Sequence, residues 1–234
     1  MKATNLTSEK LDRVGLVHGF TTRLLGDVLG SLVPWEKATG FSQASLVRLN
    51  QVHGTEVLVV DRPIDELPRG AALSYDASVT NRTDLILSVR TADCVPIILY
   101  APDAPAVGAV HAGWRGTQAG TVTAAIDAMQ GAFHCRPREM MAVIGPCIHA
   151  CCYQVDGELY KQFQERFGSE AVTVLGDSTY VDLVAVNRLW MIECGVLAEN
   201  IDVLDYCTMC REEMFFSYRR EAGRAGRQLA YVKL

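Results

Sequence analysis

Between Leu85 and His111 the chain passes through three nearly unbroken apolar runs, Leu85-Ile86-Leu87-Ser88-Val89, Val95-Pro96-Ile97-Ile98-Leu99-Tyr100 and Ala106-Val107-Gly108-Ala109-Val110-His111. Runs this short, bounded by Thr, Asp and Pro, read as strands rather than buried helices. A strand with one wet face alternates apolar and polar residues. These do not, so their sheet must be covered on both sides. Similar runs at Val14 to Thr22, Ser45 to Leu49, Glu56 to Asp61, Met141 to Ile144, Val172 to Leu175, Ile201 to Leu204, Phe215 to Tyr218 and Gln228 to Val232 predict further strands. Helical spacing is confined to three places. Val122, Ile126, Met129 and Phe133 mark a helix over Thr117 to Phe133; Leu159, Phe163 and Phe167 mark a second; Val186, Leu189, Trp190 and Met191, behind Asp182 as N-cap, mark a third. Strands outnumber helices by about three to one, which predicts an α+β fold, a layered mixed β-sheet with flanking helices. No linker, repeat or low-complexity tract divides the chain, so residues 1–234 are expected to form a single domain.

Composition removes several classes of function. The net charge is −5, and Lys and Arg are scattered except near the C-terminus. No basic face for nucleic acid or anionic lipid is evident. No stretch approaches the roughly 18 apolar residues of a membrane span, and Met1 to Asp12 lacks the apolar core of a signal peptide. The expected location is the cytoplasm, where eight cysteines stay reduced and serve packing, metal binding or catalysis instead of disulfides. Nothing in the sequence sets an oligomeric state.

Three polar segments interrupt the apolar frame at strand ends: Asn50-Gln51-Val52-His53-Gly54, Thr91-Ala92-Asp93-Cys94 and His111-Ala112-Gly113-Trp114-Arg115-Gly116. Imidazole nitrogen and thiolate sulfur are the donors Zn²⁺ favours, and three protein ligands leave a fourth position open. His53, Cys94 and His111 are therefore a candidate catalytic metal site. Taken singly, each has a plainer reading: a buried cysteine is commonly a small hydrophobe, and a strand-end histidine is commonly a hydrogen-bonded structural residue.

These segments, together with Ile144-Gly145-Pro146-Cys147 and Phe215-Phe216-Ser217-Tyr218-Arg219-Arg220, resemble the YfiH family, whose members are also called laccase-domain or multicopper polyphenol oxidoreductase proteins. The likeness runs in order from about His18-Gly19-Phe20 to Arg227. It implies a layered α+β fold similar to that of cytotoxic-necrotising-factor-like cysteine hydrolases. It also implies a zinc-dependent purine nucleoside phosphorylase that cleaves adenosine, inosine and methylthioadenosine with phosphate and also deaminates adenosine, with His53, Cys94 and His111 as zinc ligands. The expected partners are a purine nucleoside and phosphate, with no nucleic acid and no membrane.

The remaining roles follow from residue type. In deamination, water activated by the metal would attack C6 of the purine, and Asp93 is a candidate for proton transfer or for orienting a histidine ligand. Neighbours on a regular strand face opposite ways, so Asp93 reaches the metal side only if the strand breaks there. Arg115 is the first candidate for phosphate, because guanidinium binds it bidentately and a helix opens just after it; a surface Arg packed on Trp114 is the alternative. Arg23 resembles another active-site Arg of the family, although Leu24-Leu25-Gly26 replaces the usual Gly-Gly. The chain is also shorter than usual through Pro34 to Leu49, so selectivity among nucleosides is not carried over. Arg220, in the Arg- and Gly-rich stretch Arg219 to Arg227, belongs either to a solvated turn or to an anion-binding loop. Phe215 or Phe216 either stacks on a base or fills the core.

Two other functions fit parts of the pattern. A His₂Cys set also suits Cu²⁺, as in a copper-dependent polyphenol oxidase, but a laccase also needs a trinuclear cluster and the chain has only five histidines. Alternatively Cys94 is the nucleophile of a metal-free hydrolase, with His111 as base, acting on cell-wall peptide intermediates. Cys207-Thr208-Met209-Cys210, with Cys147, Cys151 and Cys152, makes a structural Cys₄ zinc conceivable, although buried reduced thiols are the default reading. His18, His134 and His149 receive no role.

Overall fold

A computed structural model describes residues 4–67 and 74–234. In chain order its strands are β1 (Asn5–Leu6), β2 (Val17–Thr21), β3 (Leu46–Val47), β4 (Val57–Val59), β5 (Ala77–Thr80), β6 (Ile86–Thr91), β7 (Val95–Ala101), β8 (Ala106–Ala112), β9 (Met141–Ile144), β10 (Gln154–Val155), β11 (Val172–Leu175), β12 (Ser178–Val181), β13 (Ile201–Val203) and β14 (Gln228–Lys233). The helices are α1 (Glu9–Asp12), α2 (Val33–Thr39), α3 (Trp114–Ala119), α4 (Thr121–Phe133), α5 (Gly157–Phe167) and α6 (Leu183–Glu193).

Two mixed sheets lie face to face. One is five-stranded in the order β1-β2-β14-β6-β3, the other six-stranded in the order β13-β9-β7-β8-β5-β4; a small antiparallel sheet, β10-β12-β11, stands apart. The apolar runs sort by the period of two that a strand imposes. On β7, Val95, Ile97, Leu99 and Ala101 face the helices, while Ile98 points at the other sheet with Val107 and Ala109 of β8 and Val143 of β9. From the five-stranded sheet, Phe20, Leu87, Val89, Ala230 and Val232 meet them. Ile86, Leu229 and Tyr231 face outward under Trp35 of α2, which is fully buried. The continuous apolarity of these strands thus has a direct cause: each is covered on both faces, in an order of helix, sheet, sheet, helix.

Helix α4 buries Val122, Ala125, Ile126 and Met129 against the six-stranded sheet. The predicted N-cap of α6 is present, with the Asp182 carboxylate accepting from the Ala185 amide at 2.9 Å, and Asp156 caps α5 in the same way. The single helix expected over Thr117 to Phe133 is instead two, because Gly120 adopts φ +84° between α3 and α4, a conformation that favours glycine. Phe215 to Tyr218 is not a strand but part of a chain of turns. Its backbone groups are engaged elsewhere: the Phe215 amide donates to the Arg211 carbonyl, the Phe216 amide to the Gln228 side chain and the Ser217 amide to Glu221, and the Phe215 carbonyl accepts from Arg220, so no ladder forms. Phe215 is fully buried and packs on Tyr206. Among the described residues no helix is long and apolar enough to cross a membrane.

Candidate metal centre and active site

The site sits where the two sheets join. Strand β6 belongs to the five-stranded sheet and β7 to the six-stranded one, and the turn that carries the chain across contains Asp93, at φ +88°, and Cys94. Across the β7–β8 ladder Val95 pairs with Ala112 and Pro96 with His111. Gly113 therefore falls opposite Cys94; a Cβ there would lie 2.7 Å from His53 Cδ2 and 3.2 Å from Cys94 Sγ. Only glycine leaves room for the His53 ring and the Cys94 sulfur together.

On the other side of β8, Ala77 pairs with Val110, and one step further Asp76 meets His111. Asp76 is fully buried. One carboxylate oxygen accepts from His111 Nδ1 at 2.7 Å, and the carboxylate also takes the amides of Val52, His53 and Gly54 at 3.1, 2.9 and 2.7 Å. A single buried carboxylate thus orients His111 and anchors the loop that carries His53. Gln51 pins the same loop to β6: its amide group donates to the Arg90 carbonyl at 2.8 Å and accepts from the Arg90 amide at 2.9 Å. His53, at φ +62°, is held in a left-handed conformation that only such anchoring makes tolerable.

His53, Cys94 and His111 converge as the sequence predicted, with donor atoms all within 4.8 Å of one another. Cys94 Sγ is 3.8 Å from His53 Nε2, and the two imidazole rings are 4.9 Å apart in an edge-to-face arrangement. For zinc bonds of about 2.3 Å to sulfur and 2.0–2.1 Å to nitrogen, tetrahedral geometry calls for S···N of about 3.6 Å. The donor set and spacing fit. With Nδ1 of His111 committed to Asp76, its Nε2 is free to ligate, which is how metal-binding histidines are commonly oriented. Burial by itself would raise the Cys94 thiol, but the adjoining His111 and His53 outweigh it and bring the thiol down to about 6. His111 is moved the opposite way: burial would lower it, yet Cys94 and Asp76 hold it up at about 9. The thiolate needed for metal binding is stabilised before any metal arrives.

The trio opens onto a cavity of about 610 Å³, within the range of small-molecule sites. Arg115 lines it, stacked on Trp114 with 4.2 Å from guanidinium carbon to ring centroid. Asp93 lines it too, and the strand does break there. Its carboxylate, however, accepts from Thr208, Ser217 and the Arg219 amide; the carboxylate that orients His111 is Asp76. Arg23 and Arg220 are not brought to the cavity. Arg23 donates to the Glu212 carbonyl and lies over Phe216. Arg220 is committed to the carbonyls of Thr208, Met209 and Phe215 and to Glu221. The guanidinium groups that do line the cavity alongside Arg115 are Arg90, Arg219 and Arg227.

Sequence reasoning missed Asp76, Tyr153 and Arg90 and gave Gln51 no role, whereas Arg219 and Arg227 delimit the Arg- and Gly-rich stretch it singled out. Gln51 lies inside the motif that was singled out; Asp76 stands alone before a short strand and carries no local signal. Tyr153 lines the cavity with its phenol pushed up to about 12, burial outweighing the pull of Arg219, so it stays a proton donor.

A two-sheet α+β fold with a His₂Cys trio that could hold a metal, lining a cavity together with four arginines, defines a site of enzyme type. The chain belongs to the multi-copper polyphenol oxidoreductase laccase family, whose model matches residues 28–234. It is 34% identical over 194 residues to a protein named purine nucleoside phosphorylase YlmD from Geobacillus stearothermophilus, covering 78% of this chain and 69% of that one. It is 36% identical over 198 residues to adenosine deaminase RL5 from an unknown prokaryotic organism, covering 80% and 74%. A third relative, purine nucleoside phosphorylase LACC1 of Mus musculus, is 31% identical over 201 residues; the match takes in 84% of this chain but only 45% of that protein's length. Among solved structures, YlmD of G. stearothermophilus superposes with a TM-score of 0.86 at 29% identity and Bacillus licheniformis YfiH with 0.88 at 25%, each covering 100% of this chain and 97% of the other.

Proposed function

We propose that this chain is a zinc-dependent purine nucleoside phosphorylase that cleaves adenosine, inosine and methylthioadenosine with phosphate to free base and ribose 1-phosphate, with deamination of adenosine as a second activity. The observation that carries the proposal is the convergence of His53, Cys94 and His111 on a cavity that also presents Arg115. The names of the relatives at 31–36% identity support the choice of purine nucleosides. His53, Cys94 and His111 would hold the zinc, which supplies Lewis acidity where the substrate's polar atoms enter. Asp76 keeps His111 in the ligating orientation. Arg115 has no ion-pair partner among the described residues, and its fork of donors suits phosphate, with Arg219 and Arg227 beside it. Tyr153 keeps its proton and can donate a hydrogen bond to a departing base. Asp93 adjoins the reaction space, and it also holds the Arg219 amide in place.

A second reading has its own observation. Asp76, His111 and Cys94 form a relay in which a buried carboxylate orients an imidazole beside a thiol, the arrangement of a cysteine hydrolase. One reaction mixture separates the readings. Adenosine incubated with the protein and analysed by chromatography should give adenine and ribose 1-phosphate only when phosphate is present, with inosine as a second product, and the Arg115→Ala variant should raise the KM for phosphate by about tenfold or more, the equivalent of one charged hydrogen bond. Base release independent of phosphate, or full activity after complete zinc removal, overturns the proposal.

A further inference from the structure

Two pairs of cysteines far apart in sequence meet outside the cavity. Cys151 and Cys152 lie in the turn that follows β9, Cys207 and Cys210 in the turn that follows β13. A parallel bridge between Cys147 and Cys207 holds the turns side by side, with the Thr208 amide donating to the Cys147 carbonyl at 2.9 Å. The sulfurs of Cys151 and Cys152 are 3.7 Å apart, those of Cys151 and Cys210 3.7 Å, and those of Cys152 and Cys210 3.3 Å. All four, Cys207 included, lie within 4.8 Å of one another.

That spacing matches a coordination polyhedron. With metal–sulfur bonds of about 2.3 Å, the edge of a tetrahedron of thiolates is about 3.8 Å, whereas a disulfide brings two sulfurs to about 2.05 Å. All eight cysteines are free. Packing does not account for the cluster, because Cys151 and Cys210 are exposed, unlike the buried thiols of Cys135 and Cys147. Cys147, which the sequence groups with its neighbours, stays in the core and takes no part.

We propose that Cys151, Cys152, Cys207 and Cys210 form a second metal site, a structural tetrathiolate that binds Zn²⁺ independently of His53, Cys94 and His111. Four protein ligands leave no open position, so this ion is a staple and not a reaction centre. What it staples is the wall of the cavity. Thr208, inside the Cys207–Cys210 turn, donates to Asp93 at 2.6 Å, and Arg220 donates to the carbonyls of Thr208 and Met209. Asp93 in turn precedes the ligand Cys94.

The test is metal content of the full chain purified in reductant without chelator, and it stands whether or not the nucleoside reaction is found. About two zinc ions per chain are expected, falling to about one in Cys94→Ser and to about one in Cys152→Ser/Cys210→Ser. Cys94→Ser loaded with Co²⁺ should show the intense thiolate charge-transfer and visible ligand-field bands of a tetrahedral sulfur site. One zinc per chain that Cys94→Ser abolishes overturns the proposal, as does a Co²⁺-loaded Cys94→Ser protein without those bands. The Co²⁺ spectrum needs no change within the cluster, so the result stands even where the double variant fails to fold.

Discussion

Asp76 is the residue on which the site depends most. It takes four hydrogen bonds, one from the His111 imidazole and three from the loop that carries His53. The change Asp76→Asn keeps the shape but puts an NH₂ where an acceptor is required, so zinc affinity should fall by about 10–100-fold, measured by competition with a chromogenic chelator. Unchanged affinity would mean that the loop and His111 hold their places without it. The Cys94 thiol, beside His53 and His111, allows a pH measurement. In chelator-treated protein Cys94, with its ordinary value depressed to about 6, should be thiolate above that pH; its alkylation by iodoacetamide should rise through pH 6 and level off near neutrality. The direction follows from the sign of the shift: a lowered thiol loses its proton earlier as pH rises. Cys135, raised to about 11 by burial, should stay unmodified throughout. A Cys94 profile centred near an ordinary thiol value of roughly 8.5 would show that His111 does not act on it.

Among the elements, the break between α3 and α4 sets where Arg115 points, since α3 carries it. Gly120 at φ +84° makes that break, and a Cβ there meets neighbours at 3.5–3.6 Å, ordinary contact. The cost of Gly120→Ala is therefore backbone strain alone, about 1–2 kcal/mol, or a Tm lower by roughly 2–8 °C. Zinc content should not change, because no ligand rides on either helix. A larger loss accompanied by metal loss would tie the helix break to the centre itself. The α6 cap at Asp182 and the apolar stripe of α4 could be read from sequence because caps and helical periods are local. The helix break could not, since a glycine inside a periodic segment carries no mark of whether its φ is positive.

At the scale of the whole molecule, the two sheets approach closely where β2 faces the end of β9. Gly145, just past β9, receives the ring of Phe20 from β2; a Cβ there would lie 2.1 Å from Phe20 Cε1. Gly145→Ala should cost about 1–3 kcal/mol or more through overpacking, seen as a Tm drop of several degrees. Combining it with Phe20→Leu should cost less than the two single losses added, because they share one contact. Additive losses would show that the sheets do not meet there as tightly as the glycine implies.

By itself the sequence determined most of the central strands, their burial on both faces and the candidate trio His53, Cys94 and His111, since these rest on local composition, residue type and a period of two; it also predicted a strand at Phe215 to Tyr218 that does not form. Tertiary structure alone decided the partners. Asp76 became the orienting carboxylate only through β5–β8 register, which puts it beside His111, 35 residues away. Arg219, not its neighbour Arg220, faces the cavity because Asp93 fixes one backbone amide and a set of carbonyls captures the other side chain. The four cysteines could be counted in the sequence, but their convergence came from the Cys147–Cys207 bridge. Periodicity encodes which face of a strand is buried; hydrogen-bond partners across a sheet depend on which strands pair and in what register, and that is settled only when the whole chain packs.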